Sequence, residues 1–193
     1  MSTPRAYVVI GPAGSGKTSV ARLLAERAEA AYLDKDTACT RFTEALLELA
    51  GTDKDERDHN PYYQSHVMEL EYRTLLDLAR DNLALGRPVV LDAPFGRYFA
   101  RPGYLAEVAA DHAWPPATET VVIEVRVDSA TARERVRARG YARDLSKLAD
   151  WDAFWKRAQD NPCRWAGTRR LVFDNHDEGI TAATVEQLLD SLR

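Results

Sequence analysis

Five short runs rich in aliphatic residues punctuate the chain: Tyr7–Ile10, Ala31–Leu33, Pro88–Leu91, Thr120–Val127 and Arg170–Phe173. Four of them are near-continuous Val, Ile or Leu rather than alternating, which is the pattern of strands buried on both faces. Between them, apolar positions recur at helical spacing. Ala21, Leu24, Ala25 and Ala28 share one face of a first helix. A longer helix carries Leu75, Leu78, Ala79 and Leu83, and Gly86 stops it. Further helices are expected over Thr37–Ala50, Arg101–Asp111, Ser129–Arg137, Trp151–Gln159 and Thr181–Leu192. Strand alternating with helix predicts an α/β fold, a parallel sheet covered on both sides.

Two stretches break this rhythm. Gly51–His66 is polar and turn-rich, and Gly140–Trp165 carries arginines, aspartates and three tryptophans without a strand signal. In open α/β sheets ligands bind at the carboxyl ends of the strands, and long insertions there serve as lids or clamps. The expected assignment is a substrate-binding segment over about residues 37–66 and a lid over about 138–165, within one domain spanning 1–193. Trp151, Trp155 and Trp165 are read either as part of the lid or as a small satellite core.

The bulk properties narrow the function classes. A chain of 193 residues that is 45% hydrophobic and 29% charged suits one folded domain rather than a disordered segment. A net charge of −4 argues against general nucleic-acid binding. Cys39 and Cys163 lie far apart with no metal-ligand spacing, so two reduced thiols are expected. No apolar stretch is long enough to span a membrane, and Met1–Arg5 runs directly into a strand without a signal peptide pattern. The expected location is cytoplasmic.

The most specific signal is Gly11–Thr18, GPAGSGKT, a full match to G-x-x-x-x-G-K-[ST] between an apolar strand and an amphipathic helix. Glycines let the backbone wrap a phosphate, and the loop N–H groups with the helix N-terminus supply positive potential. Gly11, Ala13, Gly14, Ser15, Gly16, Lys17, Thr18 and Ser19 are therefore the expected ATP-binding residues. Lys17 would reach the β/γ oxygens, and the Thr18 hydroxyl would ligate Mg²⁺.

Carboxylates follow at strand ends. Asp34 and Asp36 lie just past the second strand, and Asp92 ends the run Val89–Asp92. Asp92 is the expected Mg²⁺ ligand, with Asp34 on the metal side. Asp36 is placed to face an acceptor hydroxyl as base or orienter, and it also fits a helix N-cap before Thr37–Ala50. Arginines crowd the stretch before the lid: Arg133, Arg135, Arg137, Arg139 and Arg143. Arg135 and Arg139 share a face at i,i+4, and Arg139 and Arg143 continue it if the helix passes Gly140. Planar guanidinium groups clamp phosphate and stack on adenine, so Arg135 and Arg139 are expected on the nucleotide, and Arg139 and Arg143 in catalysis.

The phosphate loop, helix and Asp-x-Asp motif, with Asp34 seventeen residues after Lys17, resemble the gluconate kinase and shikimate kinase group of P-loop small-molecule kinases. Ala30–Asp36, AAYLDKD, is especially similar to gluconate kinase. Val89–Arg97, VVLDAPFGR, resembles the DGFPR strand end of nucleoside monophosphate kinases, one residue longer. Arg133–Gly140, RERVRARG, resembles the arginine helix leading into their lid. The following Arg-Asp, Lys-Leu and Trp-Asp pairs resemble the lid of P-loop ATPases of the AAA-domain type. The resemblance implies a five-stranded sheet ordered 2-3-1-4-5, an arginine lid over ATP, Asp36 at the substrate hydroxyl and Asp34 near the metal. The glycine-rich substrate loop of shikimate kinase is absent after Leu91, and the segment after Asp36 lacks the gluconate kinase pattern, so neither substrate transfers.

The expected activity is transfer of the ATP γ-phosphoryl group to a hydroxyl of a sugar-, polyol- or nucleoside-like molecule. Asp36, Arg41, Tyr62, Asp92 and Arg97 are the expected acceptor contacts. The acids Asp53, Asp55, Glu56 and Asp58 of the intervening segment argue against a monophosphate acceptor. A nucleoside monophosphate kinase, an antibiotic phosphotransferase, and a nucleotide-dependent switch or nucleic-acid end-processing module remain as alternatives.

Overall fold

The computed structural model describes residues 3–57, 59–176 and 179–192. Its elements run β1 (Arg5–Ile10), α1 (Lys17–Arg27), β2 (Ala31–Asp34), α2 (Lys35–Leu49), α3 (Met68–Ala84), β3 (Val89–Asp92), α4 (Tyr104–Asp111), β4 (Glu119–Arg126), α5 (Ser129–Arg139), α6 (Leu145–Ala149), α7 (Trp151–Gln159), β5 (Arg169–Asp174) and α8 (Ala182–Asp190). The five strands form one parallel sheet in the order β2-β3-β1-β4-β5. This is the order implied by the resemblance.

Pleating divides even the continuous apolar strands between two cores. From β1, Ala6, Val8 and Ile10 face the side covered by α3 and α4, while Tyr7 and Val9 face the side covered by α1 and α8. The first core is aromatic, with Tyr72, Phe95, Tyr98, Tyr104, Trp114 and Trp165 packed together. Leu75 and Leu91 within it are fully buried. Truncating either to Ala should cost about 2–5 kcal/mol.

Several local expectations need correction. The buried face of α3 is Tyr72, Leu75, Leu76, Ala79 and Leu83, and Leu78 is 40% exposed. At about 100° per residue, Leu78 falls well off the centre of that face. Helix α2 begins at Lys35, and its N-cap is Asp34, not Asp36: the Asp34 Oδ1 accepts from the Asp36 amide at 3.0 Å. The tryptophans divide. Trp151 and Trp155 stack at 5.8 Å in a satellite cluster with Val127, Ala132 and Val136. Trp165 instead joins the aromatic core, donating its indole N–H to the Tyr98 carbonyl at 3.0 Å.

The register of the sheet builds the site's floor. Asp34 pairs with Asp92 across β2 and β3, and Asp92 pairs with Val9 across β3 and β1. Two acids thus lie side by side at the carboxyl edge, next to the point where β1 gives way to Gly11.

Candidate active site

The Gly11–Thr18 loop turns out of β1 and into α1. Gly14 and Gly16 have φ of 80° and 85°, a region that L side chains rarely adopt. A Cβ at Gly14 would sit 2.4 Å from the Ala132 carbonyl of α5, and one at Gly16 would sit 2.2 Å from the Asn175 side chain. Asn175, just after β5, fastens the loop: its Nδ2 donates to the Ser15 carbonyl at 2.7 Å, and its own amide donates to the Arg126 carbonyl at 2.8 Å. The Ser15 hydroxyl is buried and has no hydrogen-bond partner among the described residues, an orphaned donor in the loop. The Lys17 ammonium folds back on the loop and donates to the Pro12 carbonyl at 2.8 Å. A phosphate chain fits this arrangement, satisfying Ser15 and replacing the carbonyl on Lys17.

Lys17 is half-buried by surface area, but its ammonium lies low in the loop. Desolvation dominates and pushes its pKa down to about 8, with Arg139 adding to the fall and Asp92 and Asp36 opposing it. Those three charges are the ones expected around a transferring phosphoryl group, and they act on one nitrogen. Asp92 is itself buried, and burial pushes its pKa up. The Thr18 and Tyr32 hydroxyls and the Lys17 charge counter that shift, with the Tyr32 hydroxyl donating to Asp92 at 2.9 Å. Hydroxyl and carboxylate oxygens together suit a hard dication such as Mg²⁺. Asp34 lines the same cavity, but its Oδ2 accepts from the Thr37 hydroxyl at 2.6 Å and its Oδ1 from the Asp36 amide. Its geometry is that of a helix cap beside the metal position. Among the described residues, no group of three or more His, Cys, Asp and Glu could hold a metal alone.

A buried ionic hub forms the end of the cavity where the acceptor contacts were expected. Glu71, on the inner face of α3, accepts from Thr43 at 2.6 Å and from the Tyr63 hydroxyl at 2.7 Å, and it ion-pairs with Lys35. Arg57 lies 3.8 Å from both Glu71 and Asp36, and Lys35 lies 3.7 Å from Asp36. Two cations therefore bridge a buried carboxylate to Asp36, whose side chain is 41% exposed and lines the cavity. Arg57 and Tyr63 belong to the segment expected to bind substrate, and Tyr63 was expected beside Tyr62 as a hydroxyl donor; Lys35 and Glu71 were not identified from the sequence. An acid one residue before Tyr72 and four before Leu75, on an apolar face, was the available signal for Glu71.

Three expected acceptor contacts lie elsewhere. Arg41 is exposed on α2 and does not line the cavity. Tyr62 stacks on His66 at 4.8 Å, while its neighbour Tyr63 turns inward. The turn is fixed by Asn60, whose Oδ1 accepts from the Tyr63 amide at 3.1 Å, and by the π-helical stretch Tyr63–Val67 leading into α3. Arg97 is exposed, donating to the Gln64 carbonyl at 3.2 Å. Of the acids of the connecting segment, Asp53, Asp55 and Glu56 do not line the cavity. Asp53 caps the Asp55 amide and Glu56 caps the His59 amide, and the described residues of this segment that line the cavity are Arg57, His59 and Tyr63. Asp58 lies outside the described residues. The charge argument against a phosphate-bearing acceptor therefore does not rest on Asp53, Asp55 or Glu56.

The segment expected to serve as a lid forms the opposite wall. Helix α5 ends at Arg139 with Gly140 at φ 65°, so the arginine face does not continue as one helix. Arg139 lines the cavity, and its Nε donates to Asp144 at 2.6 Å. Asp144 is buried and also pairs with Lys147 at 3.4 Å. Arg135 donates to the Asn175 and His176 carbonyls at 3.1 and 3.0 Å, beside Gly16. Arg143 belongs to a 3₁₀ turn, Ala142–Asp144, and its side chain lies outside the described residues. Asn175 is a further member that sequence reasoning did not single out, while Asp144 is the acid of the Arg-Asp pair in the expected lid, to which no role was assigned. The cavity joining these walls measures about 980 Å³ and runs from the phosphate loop past Asp92 to Asp36 and Arg57, with Arg139 and Arg157 on the lid side.

A Walker-type loop at the end of β1, an acid at the end of β3 and sheet order 2-3-1-4-5 define a P-loop nucleotide-binding fold of the kinase-like type. Residues 7–160 match the family described as AAA domain, and the chain belongs to that family. Solved structures with the same fold include a candidate kinase from Chloroflexus aurantiacus, with TM-score 0.71, 20% identity and full coverage of both chains. A sugar kinase from Janibacter sp. HTCC2649 gives TM-score 0.63 at 14% identity, covering 98% of this chain and 94% of the other. A gluconokinase from Sinorhizobium meliloti 1021 gives 0.53 at 16% identity, covering 100% and 97%. At these identities the likeness is one of fold. No curated protein sequence matches the chain.

Proposed function

We propose that this protein is a kinase that transfers the γ-phosphoryl group of Mg²⁺-bound ATP to a hydroxyl of a small molecule. The observation that carries the reading is the convergence of Lys17, Asp92, Asp36 and Arg139 on one cavity. The loop amides, Ser15 and Lys17 bind the polyphosphate. Thr18 and Asp92 would hold Mg²⁺, which when bound would neutralise charge on the β- and γ-phosphates. Arg139, held by Asp144, faces the charge that develops on the transferring group. The acceptor hydroxyl approaches from the Asp36 end. Its oxygen bonds to the γ-phosphorus as the bond to ADP breaks, and its proton passes to the Asp36 carboxylate.

A hydroxyl acceptor is preferred over a monophosphate because the cations at this end are committed. Lys35 and Arg57 are paired with Glu71 and Asp36, and such compensation leaves little to attract a dianion. The test is ADP release across a panel of sugars, polyols, nucleosides, aminoglycosides, nucleoside monophosphates and oligonucleotides. Stimulation by a hydroxyl compound is expected. Stimulation confined to nucleoside monophosphates or oligonucleotides would overturn the choice of acceptor.

A further inference from the structure

Helix α2 carries a buried stripe on one side and an apolar stripe on the other. Its inner stripe, Lys35, Cys39, Thr43 and Leu47, is buried against the body of the protein. A second stripe, Phe42, Ala45, Leu46 and Leu49, recurs at i, i+3, i+4 and i+7 on the solvent side. Phe42 is 74% exposed, Leu49 85% and Leu46 37%. Single exposed apolar residues need no explanation, but a seam at heptad spacing is the pattern that another helix covers.

We propose that this face of α2 is the contact surface between two copies of this chain, packed antiparallel about a two-fold axis. The charges beside the seam point to a second copy rather than to another partner. Arg41 and Glu48 stand seven residues apart on the same edge of the stripe. Antiparallel pairing brings Arg41 of each protomer towards Glu48 of its mate, and two-fold symmetry makes the contact twice. A self-complementary pair of this kind is what an isologous interface requires. Arg41 has no ion pair or hydrogen bond among the described residues, whereas Glu48 pairs with Lys54 of its own chain at 3.2 Å. That bridge is exposed and of small worth, so the mate's Arg41 can share the Glu48 carboxylate. The face lies away from the cavity, so this inference stands whether or not the kinase reading does.

Sedimentation equilibrium of the wild-type chain and surface variants tests the interface. The wild type is expected to dimerise at concentrations below about 100 μM. Phe42→Glu and Leu49→Glu should remain monomeric over that range, with circular dichroism unchanged and thermal unfolding matching the wild type at concentrations low enough to dissociate the dimer, because both side chains are exposed in the monomer. Arg41→Glu and Glu48→Arg should each raise the dissociation constant about tenfold, and the double charge swap should restore it. A wild type that stays monomeric, a dimer indifferent to Phe42→Glu, or a charge swap without rescue would overturn the proposal.

Discussion

The depressed pKa of Lys17 makes nucleotide binding depend on pH in a window where ordinary lysines do not titrate. Burial of the ammonium lowers its pKa from 10.5 to about 8 in the free protein. A polyphosphate favours the charged form and would return the pKa upward, so above pH 8 binding takes up a proton. If the neutral form grips nucleotide negligibly, the apparent Kd scales as one plus the ratio of neutral to charged lysine. Kd should then be about 1.1 times its limiting value at pH 7, about elevenfold weaker at pH 9 and about a hundredfold weaker at pH 10. A lysine of ordinary pKa would leave Kd nearly flat to pH 9.5. Competition with a fluorescent ATP analogue from pH 7 to 10 measures this, and Lys17→Met supplies the control, binding weakly and without the slope. Nucleotide affinity that stays constant from pH 7 to 10 in the wild type would refute the reasoning. The same group acts oppositely on folding. Between pH 8 and 10.5 the unfolded chain binds more protons at Lys17, so that contribution to stability rises with pH.

Other residues give separable outcomes. Asp36→Asn should lower kcat by about 10²–10⁴ with ATP affinity retained, read by steady-state kinetics beside equilibrium binding. Asp92→Asn should raise the Mg²⁺ concentration needed for half-maximal turnover, because the charge goes while the shape stays. Gly14→Ala should remove ATP binding measured by calorimetry, since its Cβ would collide with the Ala132 carbonyl. Glu71→Ala strands the buried Lys35 and should cost about 3–5 kcal/mol, seen as a fall in Tm of about 6–20 °C.

What the sequence revealed and what it hid divide along a physical line. The conformation of the phosphate loop was legible because eight consecutive residues between a strand and a helix carry it. The strands were legible because burial on both faces demands uninterrupted aliphatic runs. Asp92 was legible for the same reason, as the acid that ends such a run. The acceptor wall was not, because its geometry is set by contacts distant in sequence. Tyr63 turns inward and Tyr62 outward through the Asn60 side chain and the π-helical stretch, which adjacent tyrosines do not reveal. Asp53 and Glu56 spend their carboxylates on local amides, so composition overstated the negative charge of the cavity. Trp165 resembled a lid residue by position, yet it fills the core between Phe95, Phe99 and Tyr104.

The central claim is that the γ-phosphoryl group of ATP ends on a hydroxyl of a small acceptor. Phosphorus NMR of a reaction containing Mg²⁺, ATP and an acceptor that stimulates ADP release follows that atom directly. The account predicts a phosphomonoester resonance growing in step with ADP, absent with Lys17→Ala and reduced with Asp36→Asn. Inorganic phosphate formed in step with ADP, with no ester for any acceptor tried, would contradict it.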